Sequence, residues 1–436
     1  MSFMLFLLVN ATLFLRPAEL LPGLEALPIY NILIVLNLVV AAPGILEHLT
    51  IGRFSEKPIT GCVIVILFAI FLSHFLQFDF WSARTGATDF LNVVAYFLIL
   101  VTVVNTRTRL LVFLTVLCSL ILALNVIAVL HYHGIIELPS LTILMQNDFA
   151  PETGEKFQTP RMQATGIFGD PNDLSMIIVV GCAICLFGLT YAAIGLPRFL
   201  LIAPAGFLVY ALLLTQSRGG LLALFAGLSA ALVQRLGMKR GLVMAVLTAV
   251  PALALIGGRQ SDIGGAMTGG TGAARAELWS EGLEEFKTAP FFGIGHGNYD
   301  DEVGQVAHNS FVHSFVELGL LGGTAFLGIF AILGYSLVRL RTCKDWIADP
   351  ALRSLLGLFW AILAAYSVSM LSLSRGYTVP TYLIAGLTAS YVRLAEHDAG
   401  LMSVALCGKV IFWLGVCSIA FILAIYLYIK FLFRMG

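Results

Sequence analysis

"LLVFLTVLCSLILALNVIAVL", Leu110 to Leu130, runs without a charged residue between Arg109 and His131. The hydrocarbon core of a bilayer takes about 20 apolar residues as a helix, because without water every backbone N–H and C=O must be bonded within the segment. The run therefore reads as a membrane-spanning helix. Working outward, similar runs recur at about 2–15, 26–43, 60–77, 88–105, 172–190, 198–214, 219–234, 240–256, 310–337, 353–373, 377–394 and 405–431. The composition agrees. The 436 residues are 59% hydrophobic and 11% charged, with mean hydropathy +0.94, whereas a soluble domain is about half apolar. The expected fold is all-α: a polytopic integral membrane protein of 12 to 13 transmembrane helices. Three regions follow: N-terminal helices over 1–256 with a loop near 132–171, a long loop at 257–309 carrying short helices, and C-terminal helices over 310–436.

With the N-terminus placed in the cytoplasm, more than half of the 25 Lys and Arg fall in short cytoplasmic loops, as the positive-inside rule requires. The thirteenth run leaves Lys430 and Arg434 outside, so it reads as a half-helix or an interfacial segment. Both long loops face outward and alone have room for a site. The formal net charge of +0 gives no bulk attraction to nucleic acid. The seven cysteines lie in apolar runs or, for Cys343, in a basic loop, so no disulfide framework is expected; "CAIC" at Cys182–Cys185 reads as helix packing. Ser2–Leu15 lacks a basic leader and reads as a first helix.

The second long loop opens with a Gly-rich run, "IGGRQSDIGGAMTGGTGAA", then changes character. Leu278, Trp279, Leu283 and Phe286 form an apolar stripe at helical spacing, which suits an interface-lying helix ended by Pro290. In "GIFGDPNDLSM", Pro171 and Asn172 are expected to turn and Asp173 to cap the next helix.

"AHNSFVHSFVELGLLGG", Ala307 to Gly323, brings titratable groups into the start of a span. His308 precedes the helix, with Asn309 or Ser310 as N-cap, where free N–H groups favour anions and the dipole disfavours imidazolium. Glu317 lies roughly 12 Å further along at 1.5 Å per residue, with His313 four residues before it on the same face. Intramembrane ionisable groups default to function, although the pair equally reads as a packing hydrogen bond. Gly319 and Gly323 read as a small-xxx-small contact edge. Arg218, in the tight turn "LLLTQSRGGLLAL", and Arg275, one turn before Trp279, either snorkel to headgroups or bind a diphosphate with planar forks. Arg161 and Arg375 are further outward cations. His296 reads as a loop residue and Asp300, Asp301 and Glu302 as solvated acids. No H-E-x-x-H, Walker A or G-x-S-x-G motif occurs.

These residues resemble the O-antigen ligase and polymerase superfamily of bacterial inner-membrane glycosyltransferases. Its motif, H-[N/S/Q], nine residues, G-x-x-[G/T/Y], reads here as His308, Asn309, Ser310–Leu318, Gly319 and Gly322. "SRGG", the upstream "RAELW" and "PFFGIGHGNY" resemble the family's arginine turn and long loop. The resemblance implies a periplasmic site with His308 as base, Arg218 and Arg275 on the diphosphate of a polyprenyl-diphosphate-linked saccharide donor, and Asn309, His313, Glu317, Arg375 and Arg161 in substrate-binding or packing roles. It implies inversion, no cofactor and no metal. The acceptor is a glycan, as for a polymerase, or lipid A-core, as for a ligase; room in the 132–171 loop favours the polymerase. A small-anion transporter lined by Arg218 and Glu317 is the reading from a different class.

Overall fold

The computed structural model describes residues 1–20, 23, 27–50, 55–149, 156–256 and 271–433. Helices α1 (Ser2–Leu15), α2 (Ile29–His48), α3 (Pro58–Phe75), α4 (Phe80–Val103) and α5 (Arg107–Tyr132) precede a hairpin of β1 (Leu144–Phe149) and β2 (Lys156–Arg161). There follow α6 (Pro171–Thr190), α7 (Ile202–Leu214), α8 (Arg218–Leu236), α9 (Met238–Ile256), α10 (Thr271–Thr288), α11 (Tyr299–Val303), α12 (Ser310–Thr342), α13 (Pro350–Met370), α14 (Val379–Asp398) and α15 (Gly408–Tyr428). Among the described residues, 11 helices are long and apolar enough to cross a membrane. The other two expected spans form α9 and α14, which fall outside that set. Helix α14 carries Arg393, Glu396 and Asp398 near its end and is largely buried by neighbours, so its outward apolarity is not what holds it. The last span, Gly408–Phe431, has 24 residues, which replaces the half-helix reading.

The chain forms two compact units. The first comprises Met1–Val40, Arg107–Ser261 and Trp360–Ser369. Helix α1 packs on α5 through Phe6 and Phe113, stacked at 5.4 Å. Cys118 and Cys185 meet between α5 and α6 at 3.6 Å, beyond the roughly 2.05 Å of a disulfide, and remain thiols. Asp170, and not Asp173, caps α6: its carboxylate accepts from Asn172 N at 2.7 Å. Proline is best tolerated at the first helical position, so Pro171 sets the start and moves the cap one residue before itself.

The hairpin is the part of this unit that periodicity did not reveal. Its strands pair antiparallel from Leu144↔Arg161 to Phe149↔Lys156 within what read as a long loop. At its open end Arg161 is buried, 4% exposed. Its Nε donates to Thr215 O (3.0 Å), while its two terminal nitrogens donate to Gln146 Oε1 and Asn172 Oδ1, both at 2.9 Å. These contacts join hairpin, α6 and the turn before α8, so packing describes Arg161 better than a spare outward cation. Arg161→Ala is expected to cost at least about 2 kcal/mol, because three acceptors lose a charged donor. The check is a lowered melting temperature of the detergent-purified protein, with Arg161→Lys restoring only part of it.

The second unit comprises Ala41–Thr106, Asp262–Phe359 and Met370–Gly436. Helix α12 runs through it against α3, α10, α14 and α15. Its buried face includes Phe311, Phe315, Phe326 and Phe330, with Phe421 of α15 against the first two of these. Helix α14 closes on α4 at Gly386, where a Cβ would come within 2.3 Å of Leu100.

Candidate functional site

In the second unit the start of α12 is built by its cap. Asn309 Oδ1 accepts from Phe311 N (3.1 Å) and Val312 N (3.3 Å), satisfying two of the orphan donors of a helix N-terminus. His308, half-buried, is held just ahead of the cap with φ 49°, a left-handed conformation unusual outside glycine. The Leu373–Gly376 turn docks on the same place. Arg375 N donates to Ser310 Oγ at 2.9 Å, and that hydroxyl donates to Leu373 O. Arg375 is thus fixed through its backbone beside the head of α12.

Two turns in, His313 Nε2 meets Glu317 Oε1 at 3.1 Å, as the i, i+4 spacing predicts. Past Glu317 the helix breaks. Gly319 has φ 63° and ψ −163°, so residues on either side lose ladder partners. The stretch from Pro290 to Gly295 supplies them: Ile294 N bonds Val316 O (3.1 Å) and Gly295 N bonds Glu317 O (3.1 Å), while Leu320 N bonds Pro290 O (2.8 Å) and Leu321 N bonds Phe291 O (3.2 Å). Glu317 Oε1 adds Gly297 N at 2.9 Å and Tyr299 N at 3.4 Å. The expected Gly319/Gly323 contact edge is corrected here. Gly319 serves as a break, because a Cβ on it would lie 2.3 Å from the Phe291 carbonyl carbon.

The loop so held carries His296 inward. Its carbonyl accepts from His74 Nε2 (2.8 Å), its N–H donates to Ser73 Oγ (3.2 Å), and its ring lies 4.6 Å from that of Tyr377, which in turn lies 6.0 Å from His313. Burial lowers the His296 pKa, against an opposing pull from the Glu317 charge; burial and that same charge raise the Tyr377 hydroxyl well above its usual value. His313 Nδ1 is buried without a hydrogen-bond partner among the described residues, and the buried Tyr377 hydroxyl interacts with the Glu317 carboxylate. Sequence reasoning left His296 as an ordinary loop residue and missed His74 and Tyr377. The signal for the loop was the alternation in "GIGHG", whose Gly293, Gly295 and Gly297 all take positive φ. Asp300, Asp301 and Glu302 are exposed on α11, as expected.

Helix α10 carries Arg275, half-buried, one turn before Trp279. Trp279 Nε1 donates to Ala307 O at 2.7 Å, tying α10 to the residue before His308. Trp279 and Phe286 pack on Ile294, Tyr299, Ala307, Val312 and Val316, so part of the apolar stripe meets protein. Most of the Gly-rich run, 257–270, lies outside the described residues.

The first unit presents Arg218 as the first residue of α8, behind Ser217, whose side chain accepts from Gly220 N at 3.1 Å. Ser217 Oγ also donates to Asn172 Oδ1 (2.8 Å). Gly220 permits the expected close approach: a Cβ there would lie 2.5 Å from Ser175. The turn holding Arg218 is therefore anchored on α6.

Fold and site define a polytopic α-helical membrane protein with a buried polar cluster at one end of its longest helix. Residues 203–327 match the family model described as O-antigen ligase. The matched segment starts in α7 and ends in α12. It contains Arg218, Arg275, His308, Asn309, His313 and Glu317, and excludes Arg161 and Arg375. The resemblance to the O-antigen ligase and polymerase superfamily is supported over that segment. No curated protein matches the chain.

The break at Gly319 yields a direct expectation. Gly319→Ala should cost about 1–3 kcal/mol for the left-handed backbone alone, and more from the collision with Phe291. A lowered melting temperature together with faster proteolysis between Thr288 and Tyr299 would show it; a variant as stable as the parent would refute the account of the break.

Proposed function

We propose that the protein is a glycosyltransferase of the O-antigen polymerase type. It moves a saccharide from a polyprenyl-diphosphate carrier to a glycan hydroxyl, at the periplasmic face of a bacterial inner membrane. The observation that carries this reading is His308. A histidine in strained left-handed backbone ahead of a capped helix, inside the segment that matches the ligase family, is the arrangement of a positioned base. Strain of this kind persists where surrounding structure over-determines it, and here Asn309, Ser310 and the Trp279–Ala307 bond do so.

In this reading His308 takes the proton of the acceptor hydroxyl. The oxygen attacks the anomeric carbon from the face opposite the diphosphate, and the carbon–oxygen bond breaks with its electron pair leaving on polyprenyl diphosphate. One displacement gives inversion and no glycosyl-enzyme. Charge growing on the diphosphate is met by Arg275 and Arg218, whose planar forks suit its oxygens. Arg375 is the candidate contact for an acceptor's diphosphate. His313 and Glu317 act on packing: they fix the loop after Pro290. The chemistry requires no metal or cofactor, and membrane lipids surround the helices.

Purified protein given a single lipid-linked repeat unit is expected to build a ladder of longer products, and His308→Ala to slow it by about 10²–10⁴-fold, the range for loss of an acid–base group. Full activity of folded His308→Ala would overturn the reading. Transfer that begins only when lipid A-core is added would replace polymerase by ligase, with the same base.

Arg218→Lys is expected to impair turnover nearly as much as Arg218→Ala, since a point charge does not reproduce a two-pronged contact. The check is kcat of both variants on the same donor; near-full rescue by lysine would reduce Arg218 to a headgroup anchor.

A further inference from the structure

Within the second unit a cavity of about 520 Å³ opens between α2, α3, α4, α12 and α14. Ser336 of α12 lines it, 26 residues beyond Ser310; as an unbroken helix that stretch would span roughly 39 Å at 1.5 Å per residue, and the break at Gly319 shortens it. The cavity therefore lies toward the opposite end of α12 from His308.

The wall carries both signs of charge: Lys57 and Arg393 against Glu47, Glu56 and Glu396. Glu396 is answered by Arg339 at 3.5 Å. Lys57 Nζ donates to His48 O. Among the described residues the Arg393 guanidinium makes one hydrogen bond, a long one of 3.4 Å to Val104 O, and has no carboxylate within ion-pair distance. Three residues earlier, on the same face of α14, Ser390 is 1% exposed and its hydroxyl has no partner among the described residues. An unpaired buried hydroxyl is costly in a finished protein interior, and an arginine fork with free donors beside it fits an anion with several oxygens. Glu47 and Glu56 are exposed at the mouth and fit a cation.

We propose that this cavity binds a zwitterionic phospholipid headgroup, phosphate on Arg393 and Ser390 and ammonium toward Glu47 and Glu56. Purely basic pockets between transmembrane helices select anionic headgroups. Here a second anionic group would face the two carboxylates, so the chemistry points to phosphoethanolamine. A primary ammonium donates hydrogen bonds to those carboxylates, and a glycerol headgroup brings no charge to meet them.

The test needs no glycan transfer. Purified wild-type protein is titrated by native mass spectrometry with short-chain phosphatidylethanolamine, short-chain phosphatidylglycerol and inorganic phosphate. Phosphatidylethanolamine is expected to bind roughly tenfold tighter than phosphatidylglycerol, and Arg393→Gln to weaken it about tenfold, the scale of one charged hydrogen-bonded contact. Glu47→Gln with Glu56→Gln alters exposed positions and is expected to erase the discrimination while leaving the melting temperature unchanged. If Arg393→Gln fails to fold, Ser390→Ala and the glutamate double variant decide. Equal binding of both lipids to the wild type, or unchanged affinity in the phosphate-side variants, overturns the proposal. Displacement of the lipid by millimolar inorganic phosphate would overturn the lipid source and leave a free-anion site.

Discussion

The second unit depends on the repair of one broken helix. A membrane helix normally bonds its own backbone, and each orphaned N–H or C=O in a water-free interior costs several kcal/mol. At Gly319 that ladder is interrupted, and the loop from Pro290 to Gly295 substitutes for it with two bonds on each side of the break. Because the substitution runs through backbone, the loop's position is fixed to within hydrogen-bond geometry. Everything the loop carries inherits that position, including His296 and the amides that reach Glu317.

This gives Glu317 a reason to be buried. Its Oε1 accepts from Gly297 N, Tyr299 N and His313 Nε2, so a carboxylate that would be costly alone becomes the hub of a loop, a helix and a histidine. Functional and packing roles do not compete there. The carboxylate organises the polar interior, and His308 stands ahead of it where the helix meets the surface.

How far the sequence reached follows from the range of each signal. Spans were legible because length and apolarity act locally, and the Asn309 cap and the His313–Glu317 pair because helical spacing is short-range. The break at Gly319 was misread as a contact edge, since a glycine spaced four residues from another has the same signature whether it packs or bends. His74 and Tyr377 were invisible: each gains its role from a partner distant in the chain, as in the His74–His296 bond across 222 positions. The hairpin at Leu144–Arg161 lacked alternation, and Arg161, counted among outward cations, proved to be the bolt between its strand, α6 and the turn before α8. The family match covers Arg218 through Glu317, where local motifs were densest.

The inserted loop also sets an order of assembly. Its partners are His74 and Ser73 on α3, Gly86 on α4, which sits against the His296 ring, and the carbonyls of Val316 and Glu317 on α12. During synthesis α3 and α4 emerge more than two hundred residues before α12, so the loop has half of its socket early and the other half late. Until α12 is inserted, nothing can pair with Ile294 N or Gly295 N, and the polar interior stays open. The cluster behind His308 is therefore a product of late maturation, closed only once the chain is nearly complete.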